Sequence, residues 1–199
     1  MKTFTFQEQY DKQKDMFALC IGWLNSRQNV MSVTRADKEE ESRGIDLKVL
    51  TRMGNQIQAP IPIQVKVDFN ISVTANLAVE IISEGRWNGA WKPGWLSLLH
   101  SAKLLLYVCG NTGTYWLYDS EQFYERVMNV SSNCRAFSAL NGSEGGGDYW
   151  HGMGILVPHM MLETVMLDTG NIKSRIPGGL KTSEKRSVMG EYVYKEVSM

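Results

Sequence analysis

The sequence predicts an α/β protein with a mixed β-sheet flanked by helices, in the order α-β-β-β-α-β. The first observation is a helical pattern at residues 6–24, which precedes several short β-like runs. The second is the alternation of apolar and polar residues in PIPIQVKVDF, which is typical of a strand with two different faces. The third is the run at residues 103–109, which is continuously apolar after Lys103, as expected for a buried central strand.

Length and composition are those of an ordinary globular domain. The chain has 199 residues, of which 43% are hydrophobic and 21% charged, and its formal net charge is +0. We expect one domain over residues 1–168, with a core at about 5–130 and an elaboration at 131–168. Residues 169–199 are polar and are predicted to form a partly flexible tail. The neutral net charge does not by itself indicate a nucleic-acid partner.

Cysteine usage and hydropathy indicate the compartment. Three cysteines at no metal-like spacing favour reduced thiols in an intracellular protein. The first fifteen residues carry charges where a signal peptide would be apolar. The longest apolar run, residues 102–109, is too short to span a bilayer. We therefore expect a cytoplasmic protein without membrane contact, in the host cytoplasm if the gene is viral.

The first predicted elements are a helix and a strand. Apolar residues recur at helical steps, with charged residues between them. These apolar residues are Phe6, Tyr10, Phe17, Ile21 and Leu24. The pair Asn25-Ser26 ends the helix, and the β-branched run at 29–35 predicts the first strand.

An acidic run, residues 37–41, precedes the next strand. Such a run is usually a solvated loop or helix turn. The alternative is that Asp37 or Glu41 lies at the rim of a metal site. Gly44 allows the backbone to turn immediately before the strand that presents Asp46.

Polar residues recur within three successive β-like runs. Asp46 lies in RGIDLKVL, Gln64 and Lys66 lie in PIPIQVKVDF, and Glu80 lies in ANLAVEIISE. If these runs pair as neighbours in one sheet, the four side chains converge on one patch. Carboxylate, amide and carbonyl oxygens suit Mg²⁺ or Mn²⁺, and a lysine suits an adjacent water or phosphate. The alternative is a cross-strand ion pair of Asp46 and Lys66, worth less than about 1 kcal/mol if exposed.

Three tryptophans, Trp87, Trp91 and Trp95, lie in or next to a glycine-bearing loop at residues 85–94. Packing is the favoured interpretation, because tryptophan supplies a large buried area at low entropic cost. Stacking against nucleic acid is the alternative.

The next elements follow from local signals. Residues 95–101 predict a short helix and residues 114–118 an aromatic strand. A helix at 121–130 follows, with Asp119 or Ser120 as its cap.

The last third of the chain shows weaker patterns. Residues 131–150 read as a loop or hairpin, 154–158 as an edge strand, and 160–165 as a short helix. The tail contains a basic stretch, which we interpret as a flexible solvated segment or, alternatively, an arm that follows phosphates. Its basic residues are Lys173, Arg175, Lys181, Lys185 and Arg186, against the single acid Glu184.

The order Ile-Asp, then Gln-Val-Lys about twenty residues later, resembles the signature of the PD-(D/E)xK nuclease superfamily. The downstream segments GWLSLLHSAKLLLYV and TYWLYDSEQFYERV are similar to small phage-type members, and the resemblance covers roughly residues 37–130. It implies a restriction-endonuclease-like core and a DNA nuclease dependent on Mg²⁺ or Mn²⁺, encoded by a phage or mobile element. DNA is the implied partner, and a homodimer is left open. The sequence shows no HExxH, P-loop or GxGxxG motif that would favour another enzyme class.

The resemblance also implies roles for individual residues. Asp46, Gln64, Glu80 and the carbonyl of Val65 would hold the metal, and Lys66 would act on the attacking water or the phosphate. Gln64 stands where most members have Asp or Glu, so the site has one negative charge fewer. The acids that could compensate are Asp37, Glu8 and Asp11. The alternative is a catalytically silent nuclease-fold protein that binds nucleic acid or serves in an assembly.

Overall fold

The computed structural model describes residues 6–85, 91–143 and 146–173. The helices in these residues are α1 (Phe6–Asn25), α2 (Lys38–Ser42), α3 (Ile71–Thr74), α4 (Trp95–Leu98) and α5 (Ser120–Val130). Turns of 3₁₀ helix lie at Leu99–Ser101, Ser131–Asn133 and His159–Val165. The predicted first helix, the helix after Gly94 and the helix capped by Asp119 are confirmed.

The strands form two sheets. They are β1 (Val30–Arg35), β2 (Leu47–Met53), β3 (Gln56–Ile57), β4 (Ile61–Asp68), β5 (Asn76–Gly85), β6 (Trp91–Pro93), β7 (Leu104–Cys109), β8 (Thr114–Asp119), β9 (Arg135–Ser143), β10 (Gly146–Pro158) and β11 (Met166–Asn171). The larger sheet has the order β1-β2-β4-β7-β8-β11, with β3 beside β2. The smaller sheet has the order β6-β5-β10-β9.

The larger sheet is mixed, as predicted. β4 and β7 run parallel, with Ile63 opposite Leu104 and Lys66 opposite Tyr107. The other ladders of this sheet are antiparallel. A parallel neighbour needs a long crossover, and here the chain between β4 and β7 contains α3, β5, β6 and α4. The fold is therefore α/β with helices flanking a mixed sheet.

Each face of the larger sheet supports its own apolar cluster, because successive strand residues point to opposite faces. On one face, Trp23 of α1 packs with Val65 of β4 and Leu106 of β7. On the other face, Tyr107 of β7 packs with Val79 of β5 and Phe123 of α5. The strand β7 contributes to both clusters, so the larger sheet is the middle layer of the molecule.

Two strand assignments from the sequence are wrong. β5 does not join the sheet of β2 and β4 but pairs with β10 in the smaller sheet. β10 is not an edge strand, because it lies between β5 and β9. Pro158 suggested an edge, yet it occupies the last paired position of the strand, where its missing N–H costs little. Of the two interpretations left open for residues 131–150, the structure shows the hairpin.

The predicted start of the tail, residue 169, is too early. β11 continues to Asn171 beside β8, and Ile172 is fully buried in the cluster that contains Trp23. The Lys173 ammonium donates to the carbonyl of Asn111 at 2.9 Å. Residues 174–199, with the other basic residues of the predicted arm, lie outside the described part of the chain.

The tryptophans of the glycine-bearing loop differ in environment. Trp95 is buried in the core, which confirms packing for that residue, whereas Trp91 in β6 is 59% exposed. Trp87 lies outside the described residues. In the parts of the chain that the structure covers, no helix is both long and apolar enough to cross a membrane.

Gly94 joins the smaller sheet to α4, and we expect Gly94→Ala to be strongly destabilising. A Cβ at this position would lie 2.3 Å from the carbonyl oxygen of Glu80, which is backbone and cannot rotate away. Overpacking of this kind costs about 1–3 kcal/mol. Gly22→Ala is the matched control, because nothing lies within 4 Å of its added Cβ and alanine favours the interior of α1 by about 1 kcal/mol. Thermal unfolding should show opposite shifts, and a neutral Gly94→Ala would contradict the close contact.

Candidate functional site

Asp46 stands at the end of the ladder between β2 and β4. Its N–H donates to the carbonyl of Ile63 at 2.9 Å, and its carboxylate Oδ2 accepts the N–H of Val65 at 2.6 Å. The last paired residues are Leu47 and Ile63. Beyond this pair, the Asp46 side chain replaces the backbone carbonyl that a continued β2 would offer to the N–H of Val65. The N–H of Ile45, which would otherwise face β4, donates to the carbonyl of Glu40 at 3.0 Å.

Because the ladder between β2 and β4 stops at Leu47, the carbonyl of Val65 has no backbone partner on β2. In an antiparallel ladder the N–H and C=O of one residue point to the same side. The N–H of Val65 points to Asp46, so its carbonyl also faces that side, beyond the last ladder pair of β2. The strand end therefore presents a backbone oxygen next to a carboxylate.

Gln64 lies on the face of β4 opposite to Val65 and is only 2% exposed. Its Oε1 is buried, and no donor among the described residues reaches it. An unpaired buried amide oxygen costs free energy, because it has lost water without gaining a partner. The acceptor would be satisfied by a cation or a water at the site.

Lys66 is held on the same face by aromatic packing. Its Nζ lies 5.6 Å from the ring centroid of Trp95, a cation–π geometry. Burial lowers the pKa of Lys66, and the attraction of Asp46 and Glu80 opposes this without cancelling it. Within the described chain, no hydrogen bond or ion pair reaches this ammonium. The charges of Asp46 and Glu80 attract the lysine, but neither forms an ion pair with it, so the cross-strand ion pair considered as the alternative for Asp46 and Lys66 is not formed.

Glu80 reaches the site from the smaller sheet. Burial raises the pKa of its carboxyl, while the Lys66 ammonium and the donated N–H of Trp95 pull that pKa down. The carboxylate therefore binds the start of α4 and attracts the lysine above the Trp95 ring. The sequence predicted convergence only if the runs paired in one sheet; Glu80 instead lies in the smaller sheet, and it interacts with Lys66 electrostatically.

Asp46 also has a raised pKa. Burial is the main cause, the N–H of Val65 and the charge of Lys66 oppose it, and the charge of Glu41 adds to it. A buried carboxyl beside another acid gains from a cation, since a positive charge offsets both desolvation and repulsion. Of the two acids weighed for the rim, Glu41 is the one that acts on Asp46.

Asp37 has another role, as the N-cap of α2. Its Oδ1 accepts the N–H groups of Glu39 and Glu40 at 2.9 Å each, and Glu40 returns a bond to the N–H of Asp37. These bonds lower the pKa of Asp37. Lys48 on β2 then pairs with Glu40 at 2.9 Å and fixes the helix beside the site.

The other compensating acids lie on α1. That helix packs on the face of Val65, opposite to the face of Gln64 and Lys66. Asp11 is exposed. The side chain of Glu8 lies outside the described set.

Substitution by asparagine distinguishes the role of Asp37 from that of Asp46. Asn caps a helix about as well as Asp, so Asp37→Asn should leave both fold and reaction rate unchanged. Asp46→Asn keeps an acceptor for the N–H of Val65 but removes the negative charge. We expect metal-dependent cleavage to fall at least about 100-fold, with equal or higher thermal stability. Initial rates and melting temperatures of both variants provide the measurement, and equal rates would remove Asp46 from the site.

The donor set fits a hard divalent cation that keeps part of its water. Asp46 offers a carboxylate, Gln64 an amide oxygen and Val65 a carbonyl, and Mg²⁺ commonly uses one or two protein carboxylates plus waters. Within residues 6–85, 91–143 and 146–173, no group of three or more His, Cys, Asp or Glu could hold a metal ion. Carboxylate, amide and carbonyl oxygens are ligand types that Mg²⁺ and Mn²⁺ prefer.

Sequence reasoning missed Trp95 and Tyr107 as neighbours of the site. Tyr107 lies beside Lys66 in the parallel ladder, and its hydroxyl donates to Asp68 at 2.7 Å. Both aromatic residues lie in apolar segments that read as core. The capping role of Asp37, in contrast, had a visible signal in the Asp-x-x-Glu pattern of residues 37–40.

Comparisons with known proteins return no relative: no protein-family model, curated protein or solved structure matches the chain.

Proposed function

We propose that the protein is a deoxyribonuclease that hydrolyses phosphodiester bonds with Mg²⁺ or Mn²⁺, built on a PD-(D/E)xK-type core and encoded by a phage or mobile element. The observation that carries the proposal is Lys66, a lysine held over Trp95 and attracted by Asp46 and Glu80 without pairing with either. Lys66 is partly buried, and among the described residues its ammonium forms no hydrogen bond or ion pair, so we infer a place where a ligand would provide that interaction.

The neighbouring oxygens define what that ligand is. Asp46 contacts the N–H of Val65 at the end of β2, Gln64 adds a buried amide oxygen without a donor on the same strand, and carboxylate, amide and carbonyl oxygens suit a divalent cation. A cation bound there would neutralise phosphate charge and make a bound water more acidic. Lys66, two residues after Gln64 on the same face, would place its positive charge on the attacked phosphate or orient the attacking water.

Glu80 completes this arrangement from the opposite sheet. It attracts the Lys66 ammonium and accepts the N–H of Trp95, which carries the ring beneath that ammonium. Because burial raises its pKa, a nearby positive charge would stabilise the ionised form of Glu80. In the reaction, Glu80 would hold Lys66 in place or add a second carboxylate to the cation.

A catalytically silent nuclease-fold protein is the second candidate. The neutral Gln64 favours it, because the usual second carboxylate of the motif is missing from the strand. Such a protein would bind nucleic acid or serve in an assembly without cleavage. The retained Asp46 and the unpaired Lys66 favour catalysis, since neither a lysine nor a carboxylate needs to be buried for binding alone.

The experiment is a cleavage assay with purified protein on supercoiled, linear, branched and single-stranded DNA. Each substrate is incubated with Mg²⁺, with Mn²⁺ and with a chelator. We expect metal-dependent cleavage of at least one substrate, lost in Asp46→Asn and retained in Asp37→Asn. Retained DNA binding without any cleavage would favour the silent protein.

A further inference from the structure

We propose that Tyr107 is a positioning residue whose hydroxyl holds β5 of the smaller sheet so that Glu80 faces Lys66. The catalytic part of this inference rests on the proposed function. The structural part, a latch between two sheets, stands without it.

The Tyr107 hydroxyl connects the two sheets directly. The residue is 1% exposed and lies beside Lys66 in the larger sheet. Its hydroxyl donates to Oδ2 of Asp68 at 2.7 Å and accepts the N–H of Ala78 at 3.0 Å. Asp68 is fixed in turn, because its Oδ1 accepts the N–H of Asn70 at 2.7 Å. One phenol thus links the end of β4 to the middle of β5.

The N–H of Ala78 needs this partner. β5 pairs with β10 along one edge, whereas on its other edge β6 reaches only Ile82–Gly85 in the described chain. The first half of that edge therefore has no strand beside it, and Ala78 points its donor at the larger sheet. A backbone donor in such a position is stabilised only if a side chain or water accepts it.

The latch lies next to the residue it would position. Glu80 follows Ala78 by two residues on the same strand, so their N–H groups point to the same edge of β5 and their side chains to the same face. Burial and the Asp68 carboxylate raise the pKa of Tyr107 well above its usual range, so the hydroxyl keeps the proton that it donates. Beyond Glu80, the N–H of Gly94 donates to the carbonyl of Ile81 at 2.7 Å. Glu80 is therefore held between two fixed backbone contacts.

Tyr115 provides a matched control. It is also fully buried, and its hydroxyl also donates to an aspartate, Asp168, at 3.0 Å. Its ring packs in the cluster on the other face of the larger sheet, away from β5. Tyr107→Phe and Tyr115→Phe each remove one hydroxyl without changing the shape of the ring.

The first measurement needs no enzymatic activity. Amide hydrogen exchange is followed residue by residue in the full chain, under conditions where both variants are folded. We expect the amide of Ala78 to exchange at least about tenfold faster in Tyr107→Phe than in Tyr115→Phe, because only the first variant removes its acceptor. Equal exchange of Ala78 in the two variants would overturn the latch.

The second measurement tests the consequence for cleavage. A displaced positioning group lowers kcat by about tenfold to 100-fold, so Tyr107→Phe should do so with KM unchanged, while Tyr115→Phe should match the wild type. Combined with Glu80→Gln, Tyr107→Phe should add no further loss, because it acts through Glu80. Full additivity, or equal kcat in both tyrosine variants, would overturn the positioning role. If the wild type cleaves nothing, the proposed function fails, and the exchange of Ala78 alone supports or overturns the latch.

Discussion

We expect Lys66→Met to abolish cleavage and to raise thermal stability. Methionine matches the length of the lysine stem and can keep the contact with the Trp95 ring. The loss of the charge should reduce the cleavage rate at least about 100-fold, as expected when a charge aimed at the transition state is removed. A residue that lowers stability while serving the reaction is typical of an active site.

The stability change has a defined dependence on pH. Because burial lowers the pKa of Lys66 below its ordinary value of 10.5, the unfolded chain binds this proton more tightly than the folded protein. The cost is fully present below the folded pKa and disappears as pH rises toward 10.5, so the advantage of Lys66→Met shrinks in that direction. We expect a gain of a few degrees near neutral pH, since ~1 kcal/mol shifts a domain of this size by 2–4 °C.

Lys12→Met is the control for the loss of a lysine charge, because Lys12 is exposed on α1. It should leave both the cleavage rate and the site unchanged. A Lys66→Met protein that melts lower than the wild type at neutral pH would show that the attraction of Asp46 and Glu80 exceeds the cost of burial. Retained cleavage in that variant would remove Lys66 from the mechanism.

Gln64→Glu couples the stability of the protein to the metal. The new carboxylate would be buried beside Asp46, so the protein without a divalent cation should melt lower than the wild type. A cation that binds only the folded state offsets this loss of stability. At a free concentration of 100 times its Kd, it adds about 2.7 kcal/mol to the free energy of unfolding. We also expect cleavage to be kept or increased, because the second negative ligand strengthens metal binding.

Thermal unfolding with and without Mg²⁺ or Mn²⁺ measures this coupling. Gln56→Glu is the matched control, because it adds the same charge at an exposed position in β3. Its melting temperature should respond to the cations as the wild type does. If Gln64→Glu is destabilised equally with and without the cations, the metal site is not at Gln64.

Local signals in the sequence were sufficient for β4, β7 and the start of α5. The alternation in β4 placed Gln64 and Lys66 on one face, and the continuous apolar run of β7 indicated a strand buried on both faces. Asp119 caps α5, because its side chain accepts the N–H groups of Glu121 and Gln122, as its position suggested. These features depend on residues close together in the chain.

The smaller sheet depends on contacts that no local pattern contains. β5 pairs with β10, which lies about seventy residues later, so its alternation could not reveal its partner. Gly154 begins the strand predicted at residues 154–158, and in β10 its missing side chain allows close packing. A Cβ there would lie 2.2 Å from the carbonyl oxygen of Val79.

The sequence singled out the residues of the candidate site but not their interactions. The sequence indicated that Asp46, Gln64 and Lys66 share a face, and the resemblance supplied a role for each. It could not indicate that the ladder ends at Leu47, which leaves the Val65 carbonyl beside Asp46. The isolation of the Lys66 ammonium depends on burial and on Trp95, which only the assembled fold provides.

Anomalous diffraction from crystals soaked in Mn²⁺ tests the central claim most directly, because it locates the cation without requiring activity. We predict one manganese peak at the end of β2, with the Asp46 carboxylate and the Val65 carbonyl among its ligands, and a stronger peak in Gln64→Glu. The peak should disappear in Asp46→Asn. No manganese at Asp46 in either the wild type or Gln64→Glu would contradict the metal site and favour the catalytically silent protein.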